Sequence, residues 1–355
     1  MKNIKIFSWK SYKNKLKLLV IAEVIMLLLS SCGNNERMAE IQSFSDKYAV
    51  SDDNQLIVYT SHKEEVYLPI IREFENKTGI WVDIHAGGTA EMMQAAKEAS
   101  KNGECDIMFG GGVESYEASK EYFLQYQAED VEKLDLNFVN EESLWTPFTK
   151  LPIVFVYNKN LVNPRSVPRS WDDLFDEKWK GKIAFADMEK SGTSYTIIST
   201  MAQLFNEDPA VTVERFYEQL DGNILSSSGQ VISEVSKGAC LIGITLEETA
   251  LKEIDAGSNI VMVIPDKTSA VPDGVAILNN APHSYNAGKF IDFVVNYDTQ
   301  SYAMDSFYRR PVRNDIEYNR SFETIDLIDF DIAKSAEDEE KTFSKWRSLR
   351  GGLDE

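Results

Sequence analysis

Cysteine and histidine are scarce in this chain of 355 residues, with three of each. His62, His85 and His283 never stand four positions apart, so no helix carries a zinc-binding histidine pair. The cysteines lack metal-finger spacing as well. There is no Gly-x-Ser-x-Gly elbow and no Gly-x-x-x-x-Gly-Lys-Ser/Thr phosphate loop, and Gly110-Gly111-Gly112 lacks the spacing of a dinucleotide fingerprint. These absences remove the usual marks of catalysis, and the chain is read as a non-enzyme with no cofactor and no metal. Cations are outnumbered too. With 37 Lys and Arg against 57 Asp and Glu, the formal charge is −20, which argues against nucleic acid or anionic lipid as a partner. The sign of charge inside a cleft is a separate matter.

What is present begins with a leader. Lys2, Lys5, Lys10, Lys13, Lys15 and Lys17 precede the first acid, Glu23, and an apolar stretch over 18–29 is short for a membrane span of about 20 residues. It ends in Leu29-Ser30-Ser31-Cys32-Gly33, which resembles a bacterial lipobox, where the cysteine is diacylated and becomes the new N-terminus. Residues 1–31 are therefore expected to be a lipoprotein signal peptide, with Cys32 as the lipidation site. An uncleaved anchor is the alternative, and both readings place the rest of the chain outside the cytoplasmic membrane. Residues 32–53 are polar without apolar periodicity and fit a tether. Cys105 and Cys240 sit in separate apolar segments and read as small core residues rather than a disulfide.

From Gln55 the pattern becomes regular. A β-forming run at 56–59 precedes a helix predicted over 64–77, where Val66, Tyr67, Ile70, Ile71 and Phe74 recur at helical spacing and Gly79 closes the segment. A strand at 80–84, a helix at 89–101 and a strand at 105–109 follow. Such alternation predicts a parallel sheet with crossover helices. It pauses over 145–157 and resumes with a capped helix start at Ser170-Trp171-Asp172-Asp173-Leu174. Strands are then expected at 182–186, 223–225, 239–245 and 259–264, with helices at 191–205, 228–237 and 246–254. A β-like segment at 268–278 would return the chain to the first unit, and helices at 284–296 and 299–307 finish the body. The expected class is α/β, with one lobe from 54–154 plus 268–330 and another from 155–267, a hinge, and a cleft between them. Residues 331–355 are a C-terminal segment assigned to neither lobe.

Ligands in open α/β sheets bind beyond the carboxyl ends of strands, so the loops after Tyr59, Phe109, Ala186, Leu225 and Thr245 should line that cleft. Hydroxyls and glycine crowd the strand-to-helix loops: Thr60-Ser61-His62, Gly87-Gly88-Thr89, Gly110-Gly111-Gly112, Ser191-Gly192-Thr193-Ser194 and Ser226-Ser227-Ser228. The first turn of a helix leaves N–H groups unpaired and carries partial positive charge, which suits an anion. Any one of these loops alone reads first as an ordinary N-cap. Together they point to an anion site.

A family resemblance rests on Ile57-Val58-Tyr59-Thr60-Ser61-His62-Lys63-Glu64 and Phe74-Glu75-Asn76-Lys77-Thr78-Gly79-Ile80. These resemble the opening of extracellular solute-binding proteins related to the ferric-ion-binding proteins. The similarity continues through Gly87-Gly88-Thr89, 106–112, Ser170-Trp171-Asp172-Asp173-Leu174, Gly181-Lys182-Ile183 and 268–277, nearly the whole mature chain. Gly110-Gly111-Gly112, 187–195 and Val271-Pro272-Asp273-Gly274 most resemble the branch that binds hexose phosphates and aminoethylphosphonate. The resemblance implies a two-lobed type II periplasmic-binding-protein fold, with an ABC permease and its ATPase as partners. His62 matches a histidine that the iron binders use as a ligand. The adjacent tyrosines those proteins need are replaced here by Leu246-Glu247-Glu248-Thr249.

The expected ligand contacts are Thr60, Ser61, His62, Gly88, Thr89, Gly111, Gly112, Ser191, Gly192, Thr193, Ser194, Ser226, Ser227 and Ser228, with Glu247 and Asp273 holding hydroxyls or an amine. His62 reads either as a donor to the ligand or as a cap on the following helix. Trp145 reads as a stacking surface for a sugar or as hinge packing, and Arg309-Arg310 as rim potential or as a solvated pair. The functional expectation is a monomeric lipoprotein capturing a phosphorylated or phosphonate solute, hexose phosphate first, by closure of two lobes. A ferric-ion carrier and a sensory lipoprotein reporting to a membrane histidine kinase are the alternatives.

Overall fold

The computed structural model describes residues 51–319 and 322–351. The expected signal peptide, Cys32 and all but the end of the tether lie outside the described residues. Among the described residues the first element is a 3-10 turn at Asp52–Asn54, at the end of the expected tether. The carbonyls of Asp53 and Gln55 each accept a 2.9 Å hydrogen bond from the Asn286 side-chain amide.

Strand β1 (Gln55–Thr60) alternates buried and half-buried positions, as a strand covered mainly on one face should. Helix α1 (Glu64–Thr78) follows and ends where Gly79 takes φ 73°, a left-handed C-cap that glycine adopts without strain. Next come β2 (Trp81–Ala86), α2 (Thr89–Ser100), β3 (Ile107–Gly112), the short α3 (Val113–Glu117) and β4 (Phe123–Leu124). β1 pairs in parallel with both β2 and β3. The predicted pause at 145–157 is instead the longest strand, β5 (Thr146–Asn158). It is buried nearly throughout, so it shows none of the polar alternation that marks a half-exposed strand.

Beyond β5 lie β6 (Ile183–Ala186), α4 (Gly192–Phe205), α5 (Pro209–Leu220), β7 (Ile224–Leu225), α6 (Val231–Lys237), β8 (Ile242–Leu246), α7 (Glu247–Asp255) and β9 (Ile260–Val263). The helix start expected at Ser170 is only a 3-10 turn, Asp172–Phe175. Helix α5 was not anticipated, although Asp208 caps it and Pro209 opens it, a familiar N-terminal pairing. The chain returns through β10 (Ala270–Leu278), then α8 (Ser284–Val295), α9 (Tyr297–Phe307), β11 (Arg310–Pro311) and a long C-terminal helix α10 (Ile332–Gly351).

The strand order is β2-β1-β3-β10-β5-β8-β6-β7, with β4 on β10 and with β9 and β11 on β5. β5 joins two regions. Its first part pairs antiparallel with β10 and its last part with β8 and β9. The apolar core divides accordingly. One cluster gathers Leu56, Phe74, Phe109, Phe148 and Phe290, and another gathers Phe155, Trp171, Phe185, Phe216, Ile242 and Trp346. We call these the first and second lobes. Trp346 brings the C-terminal helix into the second core, where its indole N–H donates to Asp187 at 2.9 Å. Cys105 and Cys240 are both buried and free.

Candidate binding site

At the carboxyl end of β1, the buried Thr60 hydroxyl accepts the His62 N–H at 3.2 Å and turns the chain toward the sheet's edge of loops. The end of β3 reaches the same place. Gly110 and Gly111 hold φ of 99° and 88°, where side chains other than glycine are strained. A Cβ on Gly110 would lie 3.0 Å from the His62 ring, and one on Gly111 would lie 2.5 Å from Thr89 Cγ2. Glycine therefore lets three loops close on one another. Helix α2 starts at Thr89 after Gly88 without a side-chain cap, so its first-turn amides have no side-chain partner there. Helix α4 starts at Gly192, capped by Ser191, whose hydroxyl accepts the Ser194 N–H at 3.3 Å. A Cβ on Gly192 would stand 3.4 Å from Thr89 Oγ1, so the N-termini of α2 and α4, one from each lobe, meet.

These loops enclose a cavity of about 360 Å³, within the usual size of small-molecule sites. Of the residues expected to touch ligand, Ser61, His62, Gly88, Thr89, Gly111, Gly112, Ser191, Gly192, Thr193, Ser227, Ser228 and Asp273 line it. Four do not. Thr60 and Ser194 are buried in the turns they form, and Ser226 is turned to the Gln230 side chain at 2.9 Å. Glu247 is the clearest correction. It is fully buried and clamped by Arg310, Nε to Oε2 at 2.6 Å and Nη2 to Oε1 at 2.8 Å, so it cannot hold a ligand hydroxyl. Its neighbour Glu248 faces the cavity instead, because adjacent helix positions point in different directions.

Arg309 and Arg310 are likewise buried and paired, not a solvated surface pair. Arg309 Nη1 donates to Asp273 Oδ2 and, at 3.1 Å, to Thr149 Oγ1. Thr149 donates to Asp273 Oδ1 through its N–H at 2.8 Å and its hydroxyl at 2.7 Å. Burial pushes the Asp273 carboxyl up, against the pull of Arg309 and Thr149. Arg309 Nε has no hydrogen-bond partner and stands 3.8 Å from Glu248 Oε2. An unpaired buried donor on a cavity wall is costly unless something fills the cavity.

His62 packs edge-on against Phe109, with ring centroids 4.4 Å apart. Burial, and then the nearby Arg309 cation, hold its imidazole well below the usual value, so it is neutral at physiological pH. Its Nε2 lies 3.3 Å from Asp273 Oδ2 without hydrogen-bond alignment. It does not cap α1, which has no side-chain cap. Trp145 is packing: it is buried, and its indole N–H donates to Glu117 at 3.1 Å.

Lys63, Lys190, Thr196 and Glu248 on the cavity wall were not among the expected contacts, and Arg309 was expected only as rim potential or a solvated pair. Three cations there (Lys63, Lys190, Arg309) face two carboxylates (Glu248, Asp273), in a chain whose overall charge is −20. The only signal for Arg309 was the Arg-Arg pair before Pro311, and exposure is the ordinary fate of such a pair.

The fold and this interlobe cavity define a binding protein that encloses a solute between two lobes. The family model for bacterial extracellular solute-binding proteins matches residues 104–335, and the chain belongs to that family. It is a solute-binding protein of the ABC-transporter type, extracytoplasmic, in a family of transport components rather than enzymes. Among its relatives is iron uptake protein A1 of Synechocystis sp., 22% identical, with 83% of this chain and 84% of that protein covered. A Salmonella typhimurium protein provisionally named a 2-aminoethylphosphonate-binding periplasmic protein is 24% identical, covering 68% of this chain and 73% of its own. Among solved structures, the periplasmic binding protein AfuA of Actinobacillus pleuropneumoniae with fructose-6-phosphate superposes with a TM-score of 0.74 at 24% identity. That match covers 82% of this chain and 97% of AfuA. Among the described residues, no helix is long and apolar enough to cross a membrane.

Proposed function

We propose that this protein captures a small phosphorylated or phosphonate solute, hexose phosphate ahead of phosphonate, and delivers it to its permease. The observation that carries this reading is the meeting of the α2 and α4 N-termini at Thr89 and Gly192 on the wall of one cavity. Ser227, Ser228, Lys190 and the unpaired Nε of Arg309 supplement it. N–H and O–H donors with helix-terminal positive potential suit an anion and repel a cation. Ferric iron prefers hard anionic oxygens. Among the described residues no tyrosine lines the cavity, and Asp273 is already engaged by Arg309 and Thr149.

A thermal-shift series over hexose phosphates, 2-aminoethylphosphonate, the parent sugars and ferric citrate tests this. A phosphorylated ligand at about a hundredfold excess over its dissociation constant should add about 2.7 kcal/mol. The parent sugar should add little. Replacing Ser227 and Ser228 together with alanine should weaken that binding without lowering the melting point of the free protein, since Ser227 makes no side-chain cap bond. A coloured ferric complex, with no shift from any phosphorylated compound, would overturn the reading in favour of iron.

The lipid anchor is proposed from the leader alone. Cys32→Ala should release the protein from bacterial membranes with solute binding intact, as fractionation would show. Continued membrane retention would restore the uncleaved anchor.

A further inference from the structure

Glu114 follows the cavity-lining Gly112 in the first turn of α3, and it is almost wholly buried. Its Oε1 accepts the Thr196 hydroxyl at 2.5 Å. Thr196 belongs to α4 in the other lobe and lines the cavity, and its hydroxyl also lies 3.2 Å from the Gly192 carbonyl. The Glu114 carboxyl thus bridges the two lobes beside the proposed anion cavity. Its Oε2 has no partner, and a Cβ on Gly112 would lie 2.3 Å from that atom, so the carboxyl rests against the backbone of the glycine run.

Among the described residues it has no ion-pair partner. From α10, Glu339 adds negative potential. Lys97 of α2 acts on Glu339, while Tyr195 of α4 is a phenol made harder to ionise by burial first and then by Glu114 itself. On the β10 side, Asp273 is tied to Arg309.

We infer that Glu114 is a proton-linked latch across the cleft, and that capture of an anionic solute takes up a proton at its carboxyl. The inference rests on the anion reading above. In a closed cleft the carboxyl is cut off from water and its free oxygen finds no donor, so the neutral acid is favoured. Burial pushes it up to about 7, with the Thr196 hydrogen bond opposing. With the lobes apart, water reaches the group and it ionises in the ordinary carboxylate range. A bound anion beyond Gly112 acts in the same direction as closure. Closure is therefore favoured below the raised value and weakened as pH rises through it. Affinity should fall about tenfold more between pH 6 and pH 8 than it would with a neutral group at this position.

The ligand's second phosphate ionisation also titrates, so the comparison is with Glu114→Gln, which keeps the shape and an acceptor for Thr196. Calorimetry with fructose 6-phosphate at the two pH values should show about a tenfold larger loss for the wild type than for Glu114→Gln. Equal losses would overturn the latch. Absence of fructose 6-phosphate binding at both pH values would count against the hexose-phosphate reading alone, and 2-aminoethylphosphonate is then the probe. Its affinity for the wild type should fall about tenfold more from pH 6 to pH 8 than its affinity for Glu114→Gln, and equal losses would overturn the inference. If Glu114→Gln does not fold, Thr196→Val serves. It removes the larger of the two opposing hydrogen bonds, the other being from Glu114's own backbone N–H, and should steepen the loss, whereas an unchanged slope would overturn the inference.

Discussion

Glu247→Ala should destabilise the protein by about 3–5 kcal/mol, the largest stability effect expected from one side chain here. Glu247 opens α7, and Arg310 sits in β11 on the hinge strand β5. Both are buried, and the guanidinium spends three hydrogen bonds on Glu247 and the Glu323 carbonyl. Removing the carboxylate leaves a buried cation with one acceptor. Denaturant midpoints would measure the loss. The paired replacement Glu247→Leu with Arg310→Met should recover much of it, because the uncompensated charge goes as well. A double variant as unstable as the single one would show that packing, not charge, is what Glu247 supplies. Solute affinity of the folded fraction should hardly change, since Glu247 does not line the cavity.

Arg309→Met should remove both binding and stability. The wall loses its buried cation, with a predicted fall in affinity of at least about a hundredfold, the range seen for a buried charged hydrogen bond. Asp273 is left buried with only the Thr149 donors. Burial already pushes that carboxyl up, and loss of Arg309 pushes it further. The folded variant therefore favours the protonated acid, so its stability is best at low pH and is lost as pH rises. Adding Asp273→Asn should restore stability at neutral pH without restoring binding. Melting curves and calorimetry on the single and double variants separate the two effects. A single variant that binds normally would place the ligand away from Arg309.

Much of the fold was legible because the chain alternates. β1, β2 and β3 announce themselves as short apolar runs and α1 by a period of about 3.6, with Gly79 marking a real left-handed stop. β5 hid because both its faces are buried, and Pro147 and Pro152 within it argue against a strand when read alone. The loops that gather at the cavity were visible as hydroxyl and glycine clusters. What could not be seen was direction. Glu247 and Glu248 are one position apart and chemically alike, yet one is sealed against Arg310 and the other faces the cavity. The same limit hid the pairing of Arg309, whose partner Asp273 lies 36 positions away in β10.

The C-terminal helix has a consequence for how the chain is made. Trp346 completes the second core and reaches back 159 positions to Asp187, at the end of β6. Residues from β6 to β9 thus present an unfinished apolar surface until α10 arrives, whereas the first lobe's principal cluster draws on no residue beyond Val312. For an exported protein this ordering separates the two lobes in time. The later-finished lobe remains a substrate for secretion chaperones and proteases longer than its neighbour, and nicking near α10 would be felt first in the second lobe.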